Sequence, residues 1–175
     1  MAVLVEGISV VVRHDAIASR CPGSWNGFVT AVPNKTLCAD QHLARVEFMA
    51  PDDVKAYVAR LDEFGIRHRV ASRPGDVIVI DQVAGPTSKC DWVETGTIKL
   101  QGGEIYVARL AGDQTNMVAT PTGWTYAGSL SNKFAFVRGG AANTTMTYLR
   151  HENGLDVFLD LSTGGEMYIG RTPKE

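Results

Sequence analysis

No pair of histidines in this chain of 175 residues sits at the spacing of a local metal chelate, and no Cys-x-x-Cys occurs. His14, His42, His68 and His151 are widely separated, and His151-Glu152 lacks the second histidine of a His-Glu-x-x-His helix. A Gly-x-Ser-x-Gly nucleophile elbow and a phosphate-binding P-loop are also missing. Gly123 to Gly128 reads as a turn-rich stretch, without the helix that a phosphate cradle feeds. These gaps remove every catalytic signature written locally, and no residue pattern calls for a metal or a cofactor. Positive charge is scarce too. Seventeen Lys and Arg stand against nineteen Asp and Glu, a formal net charge of −2, so no bulk field attracts nucleic acid or an acidic membrane. No apolar run approaches membrane-helix length, and Val3 to Val12, which includes Glu6, reads as a strand instead of a secretory leader. Cys21, Cys38 and Cys90, an odd count, predict reduced thiols and a cytoplasmic protein.

What remains is the material of a packed domain: 45% hydrophobic and 21% charged residues. The organising stretch is Ala44 to Ala71. Val54, Tyr57, Val58, Leu61 and Phe64 form one apolar stripe at helical spacing, and Lys55, Arg60, Asp62 and Glu63 occupy the opposite arc. Pro51 suits the first helical position, Asp52 and Asp53 suit the positive end of the helix dipole, and Gly65 marks the stop. A helix is therefore predicted over about 51–64. Leu43 to Met49 alternates as a strand before it, and Arg67 to Val70 is read as a polar edge strand after it.

Earlier in the chain, Gly7 to Val12 has the β-branched content of a strand buried on both faces. A second helix is expected within about 15–30, with Asp15 as its N-cap and an interruption at Pro22-Gly23. Thr36 to Ala39 pairs with Leu43 to Met49 as a hairpin. The first half thus reads β-α-β-β-α-β, the order of a ferredoxin-like sheet. Val77 to Ile80 is a further strand. Beyond it helical periodicity fades and glycines multiply: strands at 92–100 and 105–110, a short one at 117–119, one at 133–137, and a meander through 145–150, 155–161 and 166–169. The predicted class is α+β with a mostly antiparallel sheet, as an α+β module over 1–84 and a β-rich module over 85–175 packed closely against it.

The passage ARVEFMAPDDVKAYVARLDEFGI, followed by Val77 to Asp81, resembles the strand-helix unit of vicinal-oxygen-chelate modules, the glyoxalase and bleomycin-resistance superfamily. The resemblance covers about residues 43–81. It implies a β-α-β-β-β scaffold, which commonly pairs into dimers, and metal-dependent members use an early His or Glu and a late Glu. This chain has Arg45 at the early position, Glu94 in the late one, and no Asp-Pro-x-Gly-Asn turn.

Several dispersed polar and aromatic residues are candidates for a ligand site. His14 ends a buried strand, with Arg13 beside it. Arg13 and Arg45 on one cleft would hold a carboxylate through paired N–H donors. Trp25, Trp92 and Trp124 each adjoin polar or turn residues, where indoles often meet ligands and partners. Glu47 and Glu94 supply carboxylates. The sequence therefore predicts a non-catalytic binding protein for a small molecule or a protein partner, with a homodimer, no nucleic acid and no membrane. The alternative is an enzyme on the chelate-like scaffold that uses His14, Glu47 and Glu94.

Overall fold

A computed structural model describes residues 1–100, 103–133, 146–152, 155–160 and 164–170. In chain order the elements are β1 (Ala2–Leu4), β2 (Ile8–Arg13), α1 (His14–Arg20), α2 (Ser24–Ala31), β3 (Cys38–Ala39), β4 (Leu43–Phe48) and α3 (Pro51–Glu63). There follow β5 (Arg69–Val70), β6 (Arg73–Pro74), β7 (Val77–Asp81), β8 (Gly85–Pro86), β9 (Val93–Leu100), β10 (Gly103–Leu110) and β11 (Val118–Ala119). A 3₁₀ turn at Tyr126–Gly128, α4 (Leu130–Lys133), β12 (Met146–Glu152), β13 (Leu155–Asp160) and β14 (Glu166–Gly170) complete the described chain. The class is α+β with mostly antiparallel sheets, as the sequence predicts.

The central sheet has the order β3-β4-β2-β7-β8, with every neighbouring pair antiparallel. Its first four strands, numbered among themselves, run 2-3-1-4. That arrangement closes two β-α-β units around each other, as the β-α-β-β-α-β reading requires. One strand differs from expectation. Arg69–Val70 does not join this sheet but forms a small ribbon with Arg73–Pro74. The fourth place goes to Val77–Asp81, which is buried along its whole length. An apolar β-branched strand gains a buried slot, and a basic exposed one gains nothing there.

One face of the sheet is covered by helices. Val10, Val12, Ala44, Val46, Val77 and Val79 meet Ile17, Phe28, Val54, Tyr57, Val58 and Leu61 in a continuous core. Burying each large side chain of the α3 stripe contributes roughly 1.5–3 kcal/mol. Phe64 is the C-cap of α3 and only half buried, so it closes the stripe at the edge of the core. Asp15 departs from its expected role. Arg13 occupies the cap position without a side-chain bond, and Asp15 sits in the first turn, where it accepts from the Ala16 amide at 2.8 Å and pairs with Arg13.

The other face carries a second sheet, ordered β11-β1-β10-β9. Val11, Ile78 and Ile80 pack there against Val3, Leu4, Ile105 and Val107. The run Val3 to Val12 is therefore two strands in two layers. It breaks at Gly7, whose φ is +54° and where a Cβ would stand 2.8 Å from the Phe48 carbonyl oxygen. Residues 2–4 thus share a sheet with residues 93–100, 103–110 and 118–119, with β1 parallel to β11. The meander β12-β13-β14 is antiparallel throughout, as expected. The strand expected at 133–137 meets the end of α4 at residue 133, and the rest lies outside the described residues. No helix among the described residues is long and apolar enough to cross a membrane.

Candidate functional site

Between His14 and Ala31 the chain must cross the helical face of the sheet, and it does so in two pieces. Pro22 lacks an amide hydrogen and Gly23 takes a left-handed φ of +75°, so α1 ends at Arg20 and α2 starts at Ser24. The corner is tight. A Cβ on Gly27 would lie 1.7 Å from the Pro22 carbonyl oxygen, so only glycine lets α2 fold back this closely. As a result α2 packs on α1, while α3 packs on β2 and β4. An open cleft of about 840 Å³ is left between α3 and the end of α2.

The cleft has an aromatic floor and a charged rim. Phe48 and Tyr57 are buried, with ring centroids 5.2 Å apart and planes tilted by 42°. Val32 and Pro33 form one wall, and the small side chains Ala56 and Ala59 leave room along the other. Asn34 secures the loop by donating to the Glu47 carbonyl at 2.7 Å and accepting from the Thr36 amide at 3.0 Å. On the rim, the Arg60 guanidinium lies 5.6 Å from the Phe64 ring centroid. The Tyr57 hydroxyl is buried beneath the floor with no hydrogen-bond partner among the described residues. Burial pushes its pKa well up, helped by nearby Cys21, so the phenol stays neutral. The arrangement can hold an apolar body and orient a charged end. The described lining contains no histidine or cysteine to serve as a general base or nucleophile.

The structure brings three sequence candidates, Arg45, Glu47 and Trp124, into one polar cluster between the sheets. Arg45 is fully buried. Its Nε donates to Ser9 Oγ at 2.8 Å, and its guanidinium also donates to the Glu6 carbonyl at 3.0 Å, the Thr36 carbonyl at 3.3 Å and Glu47 Oε2 at 2.8 Å. The Glu6 carboxylate in turn accepts from Trp124 Nε1 at 3.1 Å and from the Ser131 amide at 2.8 Å. Burial pushes the Glu47 carboxyl above its ordinary range, outweighing the pull of Arg45. All three nitrogens of this guanidinium bond to oxygens inside the protein, so the cluster is a fastening across layers.

The remaining candidates lie elsewhere. Arg13 stands 6.0 Å from the Trp92 ring centroid, and Trp92 Nε1 donates to the Gly75 carbonyl at 2.9 Å. His14 stacks on Trp25 at 5.1 Å, and Trp25 on Phe28 at 5.6 Å. Ser9 is opposite Glu47 in the β2–β4 register, whereas His14 follows the last residue of β2. Five residues of strand, about 17 Å, therefore separate His14 from Glu47. Glu94 lies exposed on β9 at 3.7 Å from Arg109. His14, Glu47 and Glu94 are thus held by three separate sets of contacts. Among the described residues no group of three or more His, Cys, Asp or Glu side chains is placed to hold a metal ion.

The cleft residues escape a reading of the sequence for a clear reason. Tyr57 belongs to the helix stripe and Phe48 to a strand, so both register as core, while Arg60 registers as solvated. The one local signal is the Pro22-Gly23 break, which opens the space. No protein-family model, curated protein or solved structure matches this chain.

Proposed function

We propose that this protein binds a small amphipathic organic molecule in the cleft between α2 and α3, without catalysis. The observation that carries this reading is the cleft itself, about 840 Å³ over the Phe48–Tyr57 pair. Its volume falls in the range of roughly 300–1,000 Å³ usual for organic ligands. Arg60 shares the lining with Asp53 and Glu63, so the rim carries both signs of charge and suits a ligand whose apolar body ends in a polar, hydrogen-bonding group. The dye 1-anilinonaphthalene-8-sulfonate has that form. Saturable fluorescence enhancement at one site is expected for the wild type. Ala59→Trp, on the exposed side of α3, should abolish it with no change in far-ultraviolet circular dichroism or melting temperature. Enhancement that survives Ala59→Trp would remove the cleft from consideration.

A further inference from the structure

We infer that the recess between the β5–β6 hairpin and the loop 88–91 is a second binding site, for a small phosphate-bearing polyanion. The recess encloses about 490 Å³, and Arg69, Arg73, Lys89, Ser72 and Ser88 line it with a single carboxylate, Asp91. Arg73 and Lys89 face the same concavity, and an anion seated between them removes their mutual repulsion. The setting makes the segregation notable. The chain as a whole is net acidic, and six of its other basic side chains stand in ion pairs: Arg13–Asp15, Arg20–Asp76, Arg45–Glu47, Lys55–Asp52, Arg109–Glu94 and Arg150–Glu166. Arg73 and Lys89 have no such partner among the described residues. Guanidinium groups beside an ammonium group and two hydroxyls match the oxygens of phosphate in charge and in hydrogen-bond direction.

The backbone supports the same assignment independently. Val70 pairs with Arg73, so Ala71 and Ser72 form a two-residue turn, and both are left-handed, with φ of +48° and +66°. Glycine or asparagine is the usual residue in such a turn, because a side chain there is strained. The strain is kept at Ser72, whose side chain lines the recess and whose carbonyl accepts from Arg69 Nη1 at 3.2 Å. Strain retained beside a concavity is a mark of function over stability. The two walls are also fixed beforehand. Trp92, next to Asp91, donates to the Gly75 carbonyl just past β6. The Gly75 and Asp76 amides donate back to the His68 and Arg67 carbonyls, closing the base of the hairpin. With the backbone set in advance, the ordering cost of binding falls on the exposed side chains alone.

Titration of the full chain with inorganic pyrophosphate, followed by amide shifts in ¹⁵N-labelled protein at low ionic strength, tests the assignment. Saturable shifts confined to residues 69–75 and 88–92 are expected, weakening as salt is raised. Arg73→Glu with Lys89→Glu should lower the affinity at least tenfold at an unchanged melting temperature, and Lys55→Glu on α3 should leave it unaltered. Lys89→Ala alone, which replaces an exposed side chain, should weaken binding severalfold and provides the measurement if the double variant folds poorly. Shifts scattered over all exposed cations, equal binding of citrate, or affinity indifferent to Lys89→Ala would each overturn the proposal. So would an oligonucleotide that binds more tightly than pyrophosphate across a surface wider than the recess.

Discussion

The two faces of the central sheet are built from the same strands and are both buried, yet they are held by different physics. Under the helices, Val10, Val46 and Val79 meet a stripe of α3 that is apolar except for the Tyr57 hydroxyl. Toward the second sheet, alternate residues of the same strands include Ser9, Arg45 and Glu47, embedded among Val11, Ile78 and Ile80. The dry face gains stability in proportion to area and tolerates no charge. The polar face contains an arginine whose burial is viable only because each of its three nitrogens meets an oxygen. Apolar contact holds a layer down, whereas directional bonds fix where the next layer sits.

Four measurements would break or sharpen that contrast. Leu61→Asp places an unpaired carboxylate in the dry face and should remove most of the roughly 5–15 kcal/mol that stabilises a domain. A melting temperature within a few degrees of wild type would show that α3 is not seated as described. On the polar face, Arg45→Met strands Glu47 and the Glu6 carbonyl, with an expected loss of about 3–5 kcal/mol in urea unfolding. Adding Glu47→Leu to that variant should recover most of the loss. If it does not, the cluster contributes more than the pairing of its charges.

Trp124→Phe keeps an aromatic side chain but deletes the bond to Glu6 and part of the indole's packing, so a smaller loss of about 1.5–3 kcal/mol is expected. An unaffected unfolding midpoint would mean that the segment carrying Trp124 docks by contact alone. The smallest effect concerns protons. Burial holds the folded pKa of Glu47 above its ordinary 4.5, so the native state binds the extra proton between those two values. Stability from this group therefore falls as pH rises through that window. Glu47→Gln, which carries no proton to lose, should flatten the slope and gain on wild type as pH climbs past 4.5, by less than the Trp124→Phe loss. Parallel pH profiles for the two proteins would assign the proton elsewhere.

Legibility in the sequence follows the range of the interaction. The α3 stripe, its Pro51 start and its Gly65 stop are local, and the helix forms where they place it. The strand order is readable because the apolar runs are separated by helices at the lengths a split β-α-β needs. The ribbon at Arg69–Val70 passes for the fourth strand, since two residues give no alternation to test. Arg13, Trp25, Trp92 and Trp124 stand out by chemistry, and all four make specific contacts, but those contacts pair them with Asp15, His14, Gly75 and Glu6. Apart from Asp15, two residues from Arg13, no pattern of neighbours along the chain could name these partners.

By itself the sequence determined α3, the longer strands and the α+β class, because capping, turn chemistry and period act within a few residues. Only the tertiary structure decided that Val3 to Val12 divides between two sheets, that Arg45 is enclosed, and that a cleft opens over Tyr57. Trp124 and Ser131 reach Glu6 across 118 and 125 residues of chain. Whether a strand's polar side chain meets water or a buried partner depends on what is packed above it, and that layer comes from distant chain.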